Sequence, residues 1–130
     1  MDRFKFRVFC KSRGDYVEKM LDLTIYYDGS LVEYDGLKQD MDNHIIEQCT
    51  GLKDKNGNLI YEGDIIRFCL NTRSYVLAYE RAVIWDNESA SFMIVSNLDQ
   101  VKPRTKRQMP NIKTHNIEII GNIHEKKDNK

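Results

Sequence analysis

The side chains of this 130-residue chain that could do chemistry gather around one stretch, Gln48 to Phe68 (QCTGLKDKNGNLIYEGDIIRF). Glu62 and Asp64 stand one residue apart, a spacing open to metal binding or to an acid and base pair. Gly51, Gly57 and Gly63 punctuate the same stretch and could suggest a loop that cradles phosphate. Their spacing matches neither GxGxxG nor a P-loop, and no strand-to-helix step follows, so they read as turn formers. Glu62 and Asp64 have an equally plain role, since acids at a strand end hydrogen-bond the amides of the turn. Asp54 reads as the hydrogen-bonding first residue of the turn Asp54-Lys55-Asn56-Gly57. His44, His115 and His124 share no HxH or HExxH spacing, so no metal set emerges. No Ser or Cys lies in a nucleophile-elbow pattern, and nothing marks Cys49 and His44 as a nucleophile and its base. The expectation is a protein with no catalytic site, no metal and no cofactor.

The strongest charge asymmetry is the run Lys102-Pro103-Arg104-Thr105-Lys106-Arg107, with Lys113 beyond it. Lys102, Arg104, Lys106 and Arg107 in a loop could hold phosphates by counterion release. Tyr75, Tyr79, Trp85 and Phe92 could then serve as stacking platforms. Against this stands the balance of 20 Lys plus Arg with 20 Asp plus Glu. No global field draws such a chain to nucleic acid or to an anionic membrane. The four aromatics also fall at strand positions, where burial is expected.

Cys10, Cys49 and Cys69 are odd in number and lack CxxC pairing, so they read as reduced thiols in or near the core. The opening MDRFKFRVF alternates charged and apolar residues, unlike a signal peptide. No apolar run reaches membrane-spanning length. A cytoplasmic location and no membrane contact are the expectations.

Short strands must position these groups. Phe4, Phe6, Val8 and Cys10 alternate with Lys5, Arg7 and Phe9, a half-buried strand pattern. Tyr16-Val17 is a short return strand after the turn Lys11 to Asp15. Leu21 to Tyr27 and Leu31 to Tyr34 form a hairpin about Asp28-Gly29-Ser30. Lys38 to Asn43 has room for one helical turn. Asn56-Gly57 suits a two-residue hairpin, because it accepts positive φ. Leu59 to Tyr61 and Ile65 to Phe68 are strands broken by Glu62-Gly63-Asp64. Leu70 to Ser74 reads as a loop or hairpin tip. Tyr75 to Tyr79 and Ala82 to Trp85 are strand-like, and Phe92 to Val95 follows the turn Asp86 to Ser89. Leu98 to Lys113, with both prolines, is the longest loop. Ile117, Ile119, Ile120 and Ile123 close the chain, and residues 125–130 are expected to fray. The pattern predicts one all-β domain over 1–130, with short antiparallel strands and at most short helical turns. Residues 1–47 form a β-meander and 48–124 a bent SH3-like pseudo-barrel.

Three segments together resemble the YopX family of phage and prophage proteins. They are Cys49-Thr50-Gly51-Leu52-Lys53-Asp54-Lys55-Asn56-Gly57 followed by Ile60-Tyr61-Glu62-Gly63-Asp64-Ile65-Ile66, the closing Ile119-Ile120-Gly121-Asn122-Ile123-His124-Glu125, and the opening Lys5-Phe6-Arg7-Val8-Phe9. Trp85 sits where similar sequences place an aromatic after a Val-rich strand. The family more often has an aromatic at the place of Cys49 and Trp at the place of Phe9. It also turns on Gly where this chain has Arg81 and Ala82, a departure that a longer hairpin between Phe68 and Val83 absorbs. The resemblance implies a mostly β fold and a phage or prophage origin, and it implies no activity.

Two functional readings stay open. One is a non-enzymatic accessory protein that binds another protein, with self-association through exposed strand edges as one form. The other is a small barrel that binds nucleic acid through Lys102, Arg104, Lys106 and Arg107.

Overall fold

Asn, Asp and Gly corners between short apolar runs leave room for strands and little else. The computed structural model describes residues 5–17, 23–25, 31–33, 43–71, 73–96, 98–102, 105–111 and 115–125. The strands are β1 (Phe6–Cys10), β2 (Asp15–Tyr16), β3 (Leu23–Ile25), β4 (Leu31–Glu33), β5 (His44–Lys53), β6 (Leu59–Tyr61), β7 (Asp64–Asn71), β8 (Val76–Asp86), β9 (Ser91–Val95), β10 (Arg107–Gln108) and β11 (Glu118–Asn122). A 3-10 turn at Leu98–Gln100 is the one helical element among the described residues. The protein is all-β and antiparallel, as its patterning predicts. No helix among the described residues is long and apolar enough to cross a membrane. The chain forms two compact units, Phe6–Glu47 and Met1–Lys5 with Gln48–Lys130.

In the first unit β1 lies between β2 and β5, with Phe9 opposite Tyr16 and Cys10 opposite Asp15. The alternation of β1 predicts one buried face, yet Val8, Phe9 and Cys10 are all buried. The cause is Tyr16, whose ring meets Phe9 edge-on at 5.2 Å and covers the second face. Glu47, at the end of this unit, is buried as well. It accepts hydrogen bonds from Arg7 Nε at 2.9 Å and from the Tyr16 hydroxyl at 2.7 Å. The Arg7 guanidinium also lies 4.5 Å from the centre of the Tyr16 ring. β3 and β4 pair as the expected hairpin, Leu23 opposite Glu33 and Ile25 opposite Leu31. The Asp28-Gly29-Ser30 turn, and the helical turn expected after Lys38, lie outside the described residues except at Asn43.

The second unit is built on a five-stranded sheet, order β10-β9-β8-β7-β11, curled into a half-barrel. Its core is Ile60, Ile66, Phe68, Val83, Ile94 and Ile117, with Leu52, Met109 and Ile119 packed against it. Ile66 and Phe68 share one face of β7 by the two-residue period of a strand. The sheet departs from the sequence reading in three places. β8 is one strand, paired with β7 from Ile65↔Ala82 to Asn71↔Val76, and does not break between Tyr79 and Ala82. Without a glycine there nothing turns the chain, and the β7–β8 hairpin is long, as the missing glycine led us to expect, with pairing that reaches Asn71↔Val76. β10 lies inside the segment read as loop, where Arg107 and Gln108 pair with Ile94 and Met93. That pairing is a backbone matter, which a polar side-chain pattern does not register. In β11 the register shifts between Ile119↔Ile66 and Gly121↔Ile65. Ile120 is the extra residue of a bulge, which explains why two isoleucines stand side by side in a strand.

Candidate functional site

The three glycines of the central stretch have φ of +83° (Gly51), +83° (Gly57) and +89° (Gly63), a region strained for any L side chain. Gly51 falls where the β5–β6 register shifts between Cys49↔Tyr61 and Lys53↔Leu59. The connection that follows is not the expected two-residue hairpin. It spans Asp54 to Asn58 inside the Lys53↔Leu59 pair, and Asn56 keeps negative φ. Asp54 is the cause. Its Oδ1 accepts from the Asn56 amide at 3.0 Å and the Asn58 amide at 2.9 Å, while Oδ2 accepts from the Ile119 amide at 3.1 Å. One carboxylate thus shapes the turn and ties it to β11. The Lys55 amide reinforces the tie by donating to the Ile117 carbonyl at 2.8 Å.

Gly63 does similar work with its backbone, donating to the Val83 carbonyl and accepting from the Ile123 amide, both at 2.8 Å. Asp64 is buried and its Oδ2 accepts from the Tyr61 amide at 2.7 Å. Glu62 reaches the Gln48 amide at 3.4 Å. Both acids therefore face the amides of the turn and its neighbour. Cys49 is buried and its Sγ takes the Gly51 amide at 3.3 Å. Among the described residues no three His, Cys, Asp or Glu side chains group as a metal set.

The basic run is divided. Pro103, Arg104 and Lys113 lie outside the described residues. Lys102 is exposed, and its carbonyl accepts from the Thr105 amide at 2.9 Å. Lys106 turns inward: its side chain is 9% exposed and its Nζ lies 2.6 Å from Asp86 Oδ1. Asp86 also accepts from the Ser89 hydroxyl at 2.6 Å. A cation that the sequence places on a surface loop is here an internal tie to the β8–β9 turn. The signal for half of this was present, in Asp86 at the head of a turn with Ser89 three residues on.

This tie sets a pH dependence. The Lys106 ammonium, then the Ser89 hydroxyl, hold the Asp86 carboxyl down from 3.8 to about 2. A folded-state value below the unfolded one stabilises the fold above the unfolded value, and that stabilisation is lost as pH falls through the folded one. Urea unfolding should therefore lose stability on acidification between 3.8 and about 2, and Asp86→Asn should flatten the slope in that window. An unchanged slope in the variant would remove Asp86 as its source.

Two of the four aromatics correct the expectation of burial. Tyr75 is 57% and Trp85 39% exposed. Tyr75 precedes the last β7–β8 pair, and Trp85 lies beside the β8–β9 turn, so both stand beyond the reach of the core. Trp85 meets its cross-strand neighbour Phe92 edge-on at 5.0 Å and donates from Nε1 to Asn87 Oδ1 at 2.9 Å.

Described residues of the second unit line at least two clefts. The larger, about 700 Å³, mixes Arg81 with Glu80, Asp99 and Glu125. The smaller, about 350 Å³, is lined by Phe68, Tyr79, Arg81, Ile94, Arg107 and His115, among others. Among the described residues of the predicted basic set, Arg107 reaches this cleft. Arg81 and His115 were not singled out as its partners, because they join it only through the fold.

The family model described as YopX protein matches residues 5–128. The chain belongs to the YopX family. The match contains the opening, central and closing segments that carried the resemblance. A solved structure shares the fold: the crystal structure of protein EF1440 from Enterococcus faecalis aligns with a TM-score of 0.57. It covers 92% of each chain at 24% identity. No curated protein matches.

Proposed function

We propose that this YopX-family chain is a phage- or prophage-encoded accessory protein of the host cytoplasm, without enzymatic activity, that works by binding protein, and that its partner is a second copy of itself. The observation that carries the reading is the outer edge of β8. β7 pairs with β8 down to Val76, whereas β9 pairs with it only from Ala82 to Asp86. Among the described residues, Val76–Arg81 therefore has a neighbouring strand on one side only. Val76 is 64% and Leu77 41% exposed on this arm, with Tyr75 at its tip. An open edge with apolar side chains is a template for another strand. Antiparallel pairing about a two-fold axis uses the same edge twice, which suits a copy of the chain. The formal net charge of zero puts no overall repulsion between copies.

Sedimentation velocity over a concentration series tests this. The native chain should sediment as a dimer or larger, and Val76→Lys or Leu77→Lys should return it to monomer with an unchanged circular dichroism spectrum. A strict monomer throughout would rule the reading out. The alternative, a nucleic-acid interface on the Lys102 to Arg107 loop, has less support, because Lys106 is committed to Asp86.

A further inference from the structure

We infer that the β8 edge which pairs with a second copy also brings that copy's hairpin tip, Arg73 to Val76, into the larger cleft, so that each chain holds the other's tip. This inference rests on the self-association proposed above and locates the contact beyond the paired edges. The open edge, Val76–Arg81, runs about 20 Å at the rise of a strand. Backbone pairing along so short an edge falls short of the roughly 1,200–2,000 Å² that stable interfaces bury. A dimer built on it needs a second contact.

Symmetry says where that contact falls. Antiparallel pairing about a two-fold axis puts one residue opposite its own copy, and positions displaced equally to either side of it face each other. With Ala78 on the axis, Val76 of one copy faces Glu80 of the other. The partner's Tyr75 then stands at Arg81 and the partner's Ser74 at Ala82. With Tyr79 on the axis, the partner's Val76 itself stands at Ala82. Pairing stops there, because Ala82 already has Val95 on that side. In either register the partner's tip arrives where β9 leaves β8.

The larger cleft opens at that point. Arg81 and Ala82 line it together with Ser96 and Leu98 from beyond β9 and with Ile65 and Ile123. Leu98 and Ile123 are exposed, and so is Val76. Facing residues of an antiparallel pair share one face of the sheet, so with Ala78 on the axis the partner's Val76 lies on the face of Glu80 and Ala82. Ile65, opposite Ala82 on β7, shares that face. The tip thus carries an apolar side chain to an apolar wall, and one contact takes Val76, Leu98 and Ile123 out of water together. At about 700 Å³ the cleft has room for several side chains.

Charge matches as well. Arg73 is exposed in the tip, and the cleft wall carries Glu80, Asp99 and Glu125. Glu80 already accepts from Arg67 Nη2 at 2.7 Å, and Glu125 from Asn122 Nδ2 at 3.3 Å. A carboxylate has sites for several donors, so a guanidinium adds to these bonds without breaking them. Contacts of this kind steer the approach of the tip more than they hold it.

The experiment joins sedimentation velocity with photo-crosslinking on the full chain. A benzophenone amino acid in place of Leu98 sets the probe in the cleft wall, and a mixture of isotope-labelled and unlabelled chains marks products formed between copies. Irradiation of the dimer should join position 98 of one copy to residues 73–76 of the other. Leu98→Lys and Ile123→Lys lie outside β8. Each should weaken dimerisation about a hundredfold, tenfold for each of two equivalent contacts, with an unchanged circular dichroism spectrum. Both side chains are exposed, so the variants keep the fold. A dimer that Val76→Lys dissociates while either cleft variant keeps native affinity overturns this inference and leaves the paired edge standing. So does a dimer whose cross-links reach any other part of the partner, its C-terminal residues included, or never reach residues 73–76. A monomer at every concentration, or a dimer that Val76→Lys leaves intact, overturns the edge pairing and this inference with it.

Discussion

Asp54→Ala is expected to destabilise the second unit by about 3–4 kcal/mol, measured by urea unfolding. The carboxylate is buried and accepts three backbone amides, two in its own turn and one from β11. Hydrogen bonds to a charged group contribute about 1.5–3 kcal/mol each, but the amides of a turn at the surface recover part of that from water. Asn56 and Asn58 are exposed and will do so, whereas Ile119 is half-buried. Asp54→Asn separates the two roles. Its oxygen can still serve Asn56 and Asn58, but its NH2 then faces the Ile119 amide, donor against donor. The expected order of stability is native, then Asn, then Ala, with Asn about 2 kcal/mol below native. A loss below about 1 kcal/mol in the alanine variant would mean that the turn forms without its acid.

Glu47→Ala should destabilise the first unit by a comparable amount, about 3 kcal/mol. Glu47 is buried, and its Oε1 is shared by Arg7 and Tyr16. Removing one member of a buried ion pair costs about 3–5 kcal/mol, because the remaining charge loses its acceptor in a dry site. The Arg7 side chain is 21% exposed, so water softens the loss and the lower end applies. Glu47→Gln keeps an acceptor of the same shape and should lose about half as much. Tyr16 absorption in the near-ultraviolet gives the local readout, since its hydroxyl changes partner in both variants. Native-like unfolding of Glu47→Ala would mean that the carboxylate adds little to the apolar packing around Val8, Phe9 and Cys10.

These two acids mark where the sequence could be read and where it could not. Asp54 was legible as a turn residue, because Asp before Asn-Gly has a local job that composition announces. That its second oxygen holds Ile119 was not legible, since the partners are 65 positions apart. Glu47 gave no signal at all. It sits in a strand between Ile46 and Gln48, where a solvated carboxylate is the ordinary reading, and its partners Arg7 and Tyr16 come from β1 and β2. Lys106 misled for the same reason: a lysine in a basic run looks solvated until Asp86 meets it. The glycines, by contrast, were read from their type and spacing, and their positive φ at Gly51, Gly57 and Gly63 follows from that. The smaller cleft was invisible as a unit. Phe68 comes from β7, Tyr79 and Arg81 from β8, Arg107 from β10 and His115 from the segment before β11, and only the fold assembles them.

The exchange of backbone amide hydrogens along β8, followed as protein concentration is raised, tests most directly that an open edge is what this chain offers. Those amides of Val76 to Arg81 that point away from β7 should exchange slowly in concentrated solution and quickly in dilute, while the alternate ones, directed at β7, and those of Ala82 to Asp86, already paired on both sides, should not respond. Exchange of the edge-facing amides of Val76 to Arg81 that is the same at every concentration would contradict the account.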